Sequence, residues 1–184
     1  MEVEAAPQAD IEGDEAAALR ARDDRSAFAT IYTRHRETVF RYLRVRCTSD
    51  EDALELTAIT FERALAAMPR YTSRGGGIVA WLLRIARNAF IDEQRRRGRL
   101  LPEDLATGRP SLDPTPEEAA IDADERRTLR RHLTALAEVE REAIALRYGA
   151  GLTAREISIV IGKGEEATQK LLARAVAKLK EAIS

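Results

Sequence analysis

The sequence has little cysteine, few aromatic residues and no long apolar run. Cys47 is the single cysteine among 184 residues, so no internal disulfide can form and a reducing compartment fits best. No uninterrupted apolar stretch approaches the roughly 20 residues that span a bilayer. The first fifteen residues carry six acidic side chains and no basic one, whereas a secretory signal needs a basic start and an apolar run. We therefore expect a cytoplasmic protein without membrane insertion.

Helix-forming residues dominate what is present. Aromatic residues make up only 5% of the chain and charged residues 33%, with alanine, leucine, arginine and glutamate the most frequent types. This composition favours helices and offers few of the β-branched and aromatic residues that suit sheets. We predict an all-α fold.

Apolar periodicity divides the helices into two groups. Three helices are predicted before residue 98, at about 24–46, 50–67 and 78–97, and four after residue 116, at about 117–136, 138–148, 153–161 and 165–183. The stretch between them contains four prolines and lacks helical periodicity, which is typical of a domain boundary. The predicted divisions are an acidic tail expected to be disordered (1–15), an N-terminal domain (16–98), an acidic flexible linker (99–116) and a C-terminal domain (117–184).

The formal net charge of −1 hides an uneven distribution. Acidic residues are concentrated in the first fifteen positions and in 103–125. Basic residues are concentrated in one predicted helix, at Arg84, Arg87, Arg95, Arg96, Arg97 and Arg99. Because fields in salt solution decay over about 8–10 Å, a locally basic helix can contact phosphate on a chain that is nearly neutral overall.

The last two helices have the pattern of a helix-turn-helix. Thr153 can cap a short helix, the turn 162–164 contains two glycines, and a longer amphipathic helix follows. The second helix of such a unit can lie in a major groove. An ordinary helical hairpin in a bundle would give a similar pattern, so the segment alone leaves both interpretations open.

The segment Trp81–Arg97 combines an apolar face with a polar one. Arg84, Asn88 and Asp92 lie four residues apart, and an arginine cluster follows. Arginine can contact phosphate, and an asparagine side chain can contact base edges. The alternative is a solvated face on which Asp92 pairs with a nearby arginine. Trp81 is expected to belong to the core rather than to stack on a base.

No arrangement of residues predicts catalysis. His35 and His132 lie on separate helices without spacing suited to a metal, and the three glycines at 75–77 lack the Lys-Ser/Thr of a phosphate-binding loop. We expect neither an enzyme nor a bound metal or cofactor.

Three segments together resemble the extracytoplasmic-function (ECF) sigma factors of bacterial RNA polymerase. Trp81–Arg97 is similar to the family pattern Trp-Leu-x-x-Ile-Ala-Arg-Asn-x-x-x-Asp-x-x-Arg-Arg. Residues 52–61 resemble Asp-Ala-Glu-Asp-Leu-Thr-Gln-Glu-Thr-Phe, and residues 140–148 resemble Gln-Arg-Glu-Ala-Ile-x-Leu-Arg-Tyr. Order and spacing agree over about 27–179. The resemblance implies a sigma factor that binds core RNA polymerase and promoter DNA, with an anti-sigma factor as a further partner.

The resemblance assigns polymerase binding to the helix at 50–67. The implied residues are Asp52, Glu55, Leu56, Thr57 and Phe61. Phe61 is expected to pack inside, with its polar neighbours touching polymerase. Leu54 and Ile59 stand where the family usually has acidic residues, so complementarity to a basic polymerase surface is expected to be reduced.

The glycine-rich loop and the helix after it align with the segment that opens the −10 promoter element and captures a flipped base. The implied DNA-binding residues are Arg74, Arg84, Asn88, Asp92, Arg95 and Arg96. Extruding a base costs a few kcal/mol, which contacts in the pocket must offset.

The last helix aligns with the one that contacts the −35 element. The implied DNA-binding residues are Arg155, Lys163, Thr168, Gln169, Lys170 and Arg174. Glu165 and Glu166 stand at its start, where they repel phosphate but suit a helix N-terminus. The departure predicts weak or unusual −35 recognition.

Two other interpretations remain open on the sequence alone. A sigma-like mimic would bind an anti-sigma factor without recognising promoters, and the departures at Leu54, Ile59, Glu165 and Glu166 motivate it. A simple repressor would use only the helix-turn-helix, which leaves the N-terminal domain unexplained. The linker carboxylates are expected either to mimic nucleic acid in a basic channel of the polymerase or to form a solvated spacer.

Overall fold

The structure is a computed structural model that describes residues 11–73, 75–100, 128 and 131–183. The described residues form helices and connecting turns and contain no strand, in agreement with the predicted all-α fold. No helix in this part of the chain is long and apolar enough to cross a membrane. The predicted linker, from residue 101 onward, and most of the predicted helix 117–136 lie outside the described residues.

The N-terminal unit contains four α-helices. Their bounds are α1, Ile11–Asp23; α2, Phe28–Arg46; α3, Asp50–Ala67; and α4, Gly77–Leu100. A short 3₁₀ turn, Arg25–Ala27, separates α1 from α2, and Asp24 caps that turn by accepting a hydrogen bond from the Ser26 N–H at 2.8 Å. The helix predicted at 24–46 is therefore a 3₁₀ turn followed by α2.

Helix α1 corrects the part of the predicted disordered tail (1–15) that the structure describes, residues 11–15. The helix begins at Ile11, and it buries Asp14 together with three alanines, Ala17, Ala18 and Ala21. Asp14 accepts a hydrogen bond from Arg34 at 2.9 Å and lies 3.2 Å from the Nε2 atom of His35. The composition here favours disorder. The small alanines nevertheless allow α1 to pack closely, and the side chains of Arg34 and His35 are the kind of partners that a buried carboxylate needs. Residues 1–10 lie outside the described part.

Aromatic side chains hold α2, α3 and α4 together. The Phe61 ring packs edge-on against Phe28 and Tyr32, with ring centroids 6.3 Å and 5.0 Å apart. Trp81 is half-buried and packs edge-on against the buried Tyr71 ring at 5.1 Å, as expected for a core anchor. Such pairs add roughly 0.5–1.5 kcal/mol each to the effect of burial.

From residue 138 onward, the described part of the C-terminal unit contains three α-helices and a π-helical turn, and residues 131–134 before them are also helical. Their bounds are α5, Glu138–Ile144; the π turn, Ala145–Gly149; α6, Ala154–Ile161; and α7, Glu165–Ile183. Thr153 and Glu156 form a reciprocal capping box at the start of α6, and Gly162, with a φ of 70°, ends it. The predicted helix 138–148 is thus α-helical only to Ile144.

The two units share one apolar core. Residues from the π turn, the loop after it and α6 belong to the same buried cluster as residues of α1 to α4; they are Ala145, Leu146, Ala150, Leu152, Ile157 and Val160. A second, smaller cluster of Leu133, Leu136, Ile144 and Ala175 holds the C-terminal unit together. The C-terminal unit therefore lies directly on α2 and α4.

Candidate nucleic-acid and protein interfaces

The polar face of α4 contains residues in three different environments. Asn88 is exposed, so its amide is available to a partner. Arg84 is half-buried, and its Nε atom is buried without a hydrogen-bond partner among the described residues. Asp92 is exposed but accepts from the Nη1 atom of Arg63 on α3 at 2.8 Å. Asp92 therefore has the arginine partner that the alternative interpretation of this face predicted.

The arginine cluster at the end of α4 is partly neutralised by carboxylates. Arg96 is exposed and makes two hydrogen bonds of 2.8 Å to Glu93. Arg97 bonds to Glu93 at 2.7 Å and to Asp52 on α3 at 2.5 Å. Arg95 is exposed. Exposed ion pairs such as that of Arg96 with Glu93 contribute little to stability.

Three consecutive glycines shape the loop before α4. Gly75, Gly76 and Gly77 have φ values of 68°, 74° and 62°, a left-handed conformation that side chains disfavour. The loop lies against α6, since a Cβ on Gly75 would be 3.5 Å from the Cδ1 atom of Ile159. Arg74, the predicted contact in this loop, lies outside the described residues.

Helix α3 buries most of the residues predicted to bind polymerase. Phe61 is buried as expected, but Leu56 and Thr57 are also buried, with 4% and 8% of their surfaces exposed. The Thr57 hydroxyl donates to the Ala53 carbonyl at 2.7 Å. The helical spacing of Leu56, Thr57 and Phe61 places them on the side of α3 that faces the core. In this structure they therefore position α3 and do not offer surface for contact.

The exposed face of α3 is mainly acidic. Its exposed residues are Glu51, Leu54, Glu55, Ala58, Glu62, Arg63 and Ala66, so its charged members are three glutamates and one arginine. Leu54 is 59% exposed on this face, whereas Ile59 is half-buried against the core. Asp52 is tied to Arg97, and the hydrogen bond from Arg97 lowers the pKa of Asp52. Glu55 is the member of the predicted set that is fully available.

Helix α7 presents a polar surface, but one of the residues predicted to contact DNA does not belong to it. Thr168 is fully buried, and its hydroxyl donates to the Gly164 carbonyl at 2.9 Å, so it does not offer a DNA contact in this structure. Among the other predicted −35 contacts, Lys170 is paired with Glu166 at 2.5 Å. The exposed members are Arg155, Lys163, Gln169, Lys170 and Arg174.

A buried charged cluster between the two units was missed by sequence reasoning. Glu142 on α5 accepts hydrogen bonds from the Tyr42 hydroxyl at 2.7 Å and from Arg46 at 2.5 Å. Arg46 also pairs with Glu138, and its guanidinium lies 4.4 Å from the centroid of the Phe90 ring. One sequence signal could have indicated this cluster: Arg46 occupies a position that continues the apolar stripe of α2. No cluster of metal-ligating side chains occurs within the described ranges.

Comparison with known families identifies the class of protein. The family described as Sigma-70 region 2 matches residues 31–100, and Sigma-70 region 4 matches residues 133–181. The two matches cover α2 to α4 and the helices that end in the helix-turn-helix. The fold and these surfaces thus define a sigma-70-type transcription initiation factor with region 2 and region 4 in the usual order.

Curated relatives identify the family within that class. SigD of Mycobacterium tuberculosis, an ECF RNA polymerase sigma factor, is 33% identical over 166 residues, which cover 87% of this chain and 78% of SigD. BldN of Streptomyces coelicolor, another such factor, is 32% identical over 158 residues, covering 83% of this chain and 59% of BldN. The chain belongs to the ECF RNA polymerase sigma factors, which supports a function in directing polymerase to promoters.

Solved structures show the same fold. CnrH, solved in complex with the cytosolic domain of CnrY, is 24% identical with a TM-score of 0.70, over 92% of this chain and 96% of CnrH. The sigma factor RpoE, solved with the anti-sigma factor NepR from Bartonella quintana, is 22% identical with a TM-score of 0.70, over 85% and 96% of the respective chains.

Proposed function

We propose that this chain binds core RNA polymerase and starts transcription at promoters whose −10 element contacts α4 and whose −35 element contacts α7. The observation that carries the proposal is the exposed Asn88 on an arginine-rich helix that follows a left-handed glycine loop. A free amide can bond to a base edge, and neighbouring guanidinium groups can hold the phosphates on either side.

The exposed face of α3 is the proposed contact with polymerase. Glu55 is accessible there, and Glu51 and Glu62 add to the negative charge. Such a face complements a basic surface and speeds its association. Leu54 adds an exposed apolar group at the same place, and this favours a contact that is part apolar and part ionic.

Contact with −35 DNA is proposed to be weak in this chain. Gln169 and Arg174 offer a base contact and a phosphate contact, but Glu165 and Glu166 are exposed at the start of α7. Their charges oppose the approach of phosphate, although they stabilise the helix end. Promoter selection is therefore proposed to depend mainly on α4.

An anti-sigma factor is the proposed regulatory partner. One sigma factor of the same fold, RpoE, was solved with the anti-sigma factor NepR bound. We also propose that the protein acts in the cytoplasm, where polymerase and promoter DNA are, and that it acts by binding rather than by catalysis. The comparisons do not favour the alternative of a mimic, since both sigma regions match.

The test is in vitro transcription with purified core polymerase and a library of promoter fragments. We expect specific starts that need this chain, and we expect Asn88→Ala combined with Arg84→Ala to reduce them at least about tenfold, since one base contact contributes roughly 1–3 kcal/mol. Arg22→Ala, a change at an exposed arginine of α1, is the control and should keep the starts. Polymerase binding without starts, or starts that survive the double substitution, would contradict the proposal.

A further inference from the structure

Helix α1 lies outside the residues that match Sigma-70 region 2, yet it packs against them. The match begins at residue 31, whereas α1 ends at Asp23. The alanines on its buried face, Ala17, Ala18 and Ala21, belong to the same apolar cluster as buried residues of α2 and α4. The position of α1 is therefore fixed by the core that also holds the helix proposed to bind the −10 element.

Two consecutive carboxylates of α1 bond to two different parts of the N-terminal unit. Asp14 is buried and accepts a hydrogen bond of 2.9 Å from Arg34, which anchors α1 on α2. Glu15 is half-buried and accepts a hydrogen bond of 2.9 Å from the hydroxyl of Tyr71. Tyr71 is the last residue before the glycine loop, residues 72–77. Glu15 thus connects an anchored helix to the start of that loop.

The Tyr71 side chain joins α1, α4 and the glycine loop. Tyr71 is 1% exposed, and its ring packs edge-on against Trp81 of α4 with the centroids 5.1 Å apart. Its hydroxyl bonds to Glu15 and also to the side chain of Ser73 in the loop. Burial, with a contribution from Glu15, raises the pKa of Tyr71 to about 12, so the phenol stays a neutral donor. One hydroxyl is therefore shared between α1 and the loop.

The glycine loop needs a fixed start. Gly75, Gly76 and Gly77 all have positive φ values, and glycine backbones have more accessible conformations than those of other residues. Ordering such a loop when a base binds would reduce affinity, so contacts that order it beforehand improve binding. A phenylalanine at position 71 could pack on Trp81 equally well, so the hydroxyl is the part of this side chain that serves the contact with Glu15.

We propose that Glu15 is a positioning residue for promoter recognition: through the Tyr71 hydroxyl it fixes the start of the glycine loop in the conformation that selects a base of the −10 element. The inference rests on the proposed function, because it concerns how the proposed −10 segment is held. Helix α1 carries none of the residues proposed to contact DNA or polymerase. Loss of the bond should therefore weaken discrimination between bases more than binding to polymerase.

The first test measures base discrimination by in vitro transcription with core polymerase. Four templates differ only at the most selective −10 position of a promoter chosen with the wild-type chain, and the readout is the ratio of starts on the preferred base to starts on the other three. We expect Glu15→Ala and Tyr71→Phe each to lower this ratio about three- to tenfold, the net effect of one hydrogen bond. Because each ratio comes from one preparation, a smaller folded fraction cancels.

Three further variants make the test specific. Glu15→Gln keeps an oxygen that can accept from the phenol, so it should retain most of the ratio. Asp23→Ala removes an exposed carboxylate of the same helix and should match the wild type. Glu15→Ala combined with Tyr71→Phe should lower the ratio no further than either single change, since both residues act through one bond.

The second test needs no polymerase. Trp81, the single tryptophan of the chain, lies against Tyr71 and reports how firmly that ring is held. We expect acrylamide to quench the emission of Trp81 more strongly in Glu15→Ala and Tyr71→Phe than in the wild type. Asp23→Ala should be quenched like the wild type.

The outcomes separate the inference from the proposed function. If the wild-type chain gives base-selective starts and Glu15→Ala and Tyr71→Phe keep its ratio, the inference is wrong and the proposed function stands. Effects that add in the double variant, or quenching equal to the wild type in both single variants, would also overturn the inference. If the wild-type chain gives no starts, the proposed function fails and the inference with it.

Discussion

At the scale of single residues, Arg97 connects the two proposed surfaces of the N-terminal unit. Its guanidinium bonds to Asp52 at the start of α3 and to Glu93 one turn earlier on α4. The bond to Arg97 is the main cause that lowers the pKa of Asp52 below its ordinary value of 3.8. The helix proposed to bind polymerase is thus joined to the helix proposed to bind DNA by this ion pair and by the pair of Arg63 with Asp92.

This pair predicts how stability depends on pH. The folded pKa of Asp52 is depressed, so its contribution is present above about pH 4 and is lost as pH falls through the folded pKa. Asp52→Asn should lower stability at pH 7 by a few tenths to about 1 kcal/mol, the range of partly exposed pairs. Urea unfolding at pH 7 and near pH 3 measures the effect, and the difference between the variant and the wild type should shrink at the lower pH.

Glu62→Gln, at an exposed position of the same helix, is the control for this prediction. This variant should show the same change in the free energy of unfolding between pH 7 and pH 3 as the wild type. A penalty for Asp52→Asn that stays constant down to pH 3 would show that the ionised carboxylate of Asp52 is not what stabilises α3.

At the scale of elements, the sequence predicted most helices within a few residues. Apolar periodicity and capping signals are local, so α3, α6 and α7 were predicted well, and Thr153 caps α6 as expected. Helix α1 was missed because its buried face consists of alanines, which give a weak apolar signal. Whether it packs depends on Arg34 and His35, which periodicity does not reveal.

Side-chain orientation explains what could be predicted of the candidate site. The family motifs lie within the segments that match Sigma-70 regions 2 and 4, but Thr168, Leu56 and Thr57 face the core. A motif records which residue types recur and does not separate contact residues from those that hold a helix in place. The pairing of Glu142 with Tyr42, 100 positions away, lies beyond any local signal.

The start of α7 gives a prediction about DNA binding. Glu165→Gln with Glu166→Gln removes two charges near the phosphates, so affinity for promoter DNA should rise severalfold at low salt, and the gain should shrink as salt increases. The helix end loses a favourable interaction of roughly 0.3–1 kcal/mol per charge, so the melting temperature should fall slightly. Anisotropy titrations across a salt series and thermal unfolding measure the two effects.

Glu181→Gln, near the other end of α7, is the matched control because it removes an exposed carboxylate far from the turn. Its effect on DNA affinity should be much smaller. Equal gains from both ends of the helix would mean that net charge alone controls binding, with no role for the position of the two acids.

At the scale of the whole molecule, the shared core couples the folding of the two units. Ala145, Leu146 and Ile157 complete the packing of α2 and α4, so unfolding the C-terminal unit exposes apolar surface on the N-terminal one. Domains joined only by a linker would unfold independently. We predict a single transition for the wild-type chain in differential scanning calorimetry, with equal calorimetric and van't Hoff enthalpies.

A Cβ on Gly149 would lie 2.9 Å from the Arg41 carbonyl oxygen of α2. Gly149→Ala should therefore divide that transition into two, because overpacking at the contact costs roughly 1–3 kcal/mol and removes the coupling. Gly98→Ala should keep one transition and raise its midpoint, since replacing a helical glycine by alanine gains up to about 1 kcal/mol. Two transitions already present in the wild-type chain would contradict the shared core.

The burial of Leu146 and Ile157 between the units also bears on how long the protein survives in the cell. When the units separate, both apolar faces are exposed to water, and exposed apolar surfaces promote aggregation and proteolysis. Variants that weaken this contact should therefore be degraded faster in the cell than the wild-type chain, so their steady-state amount should be smaller.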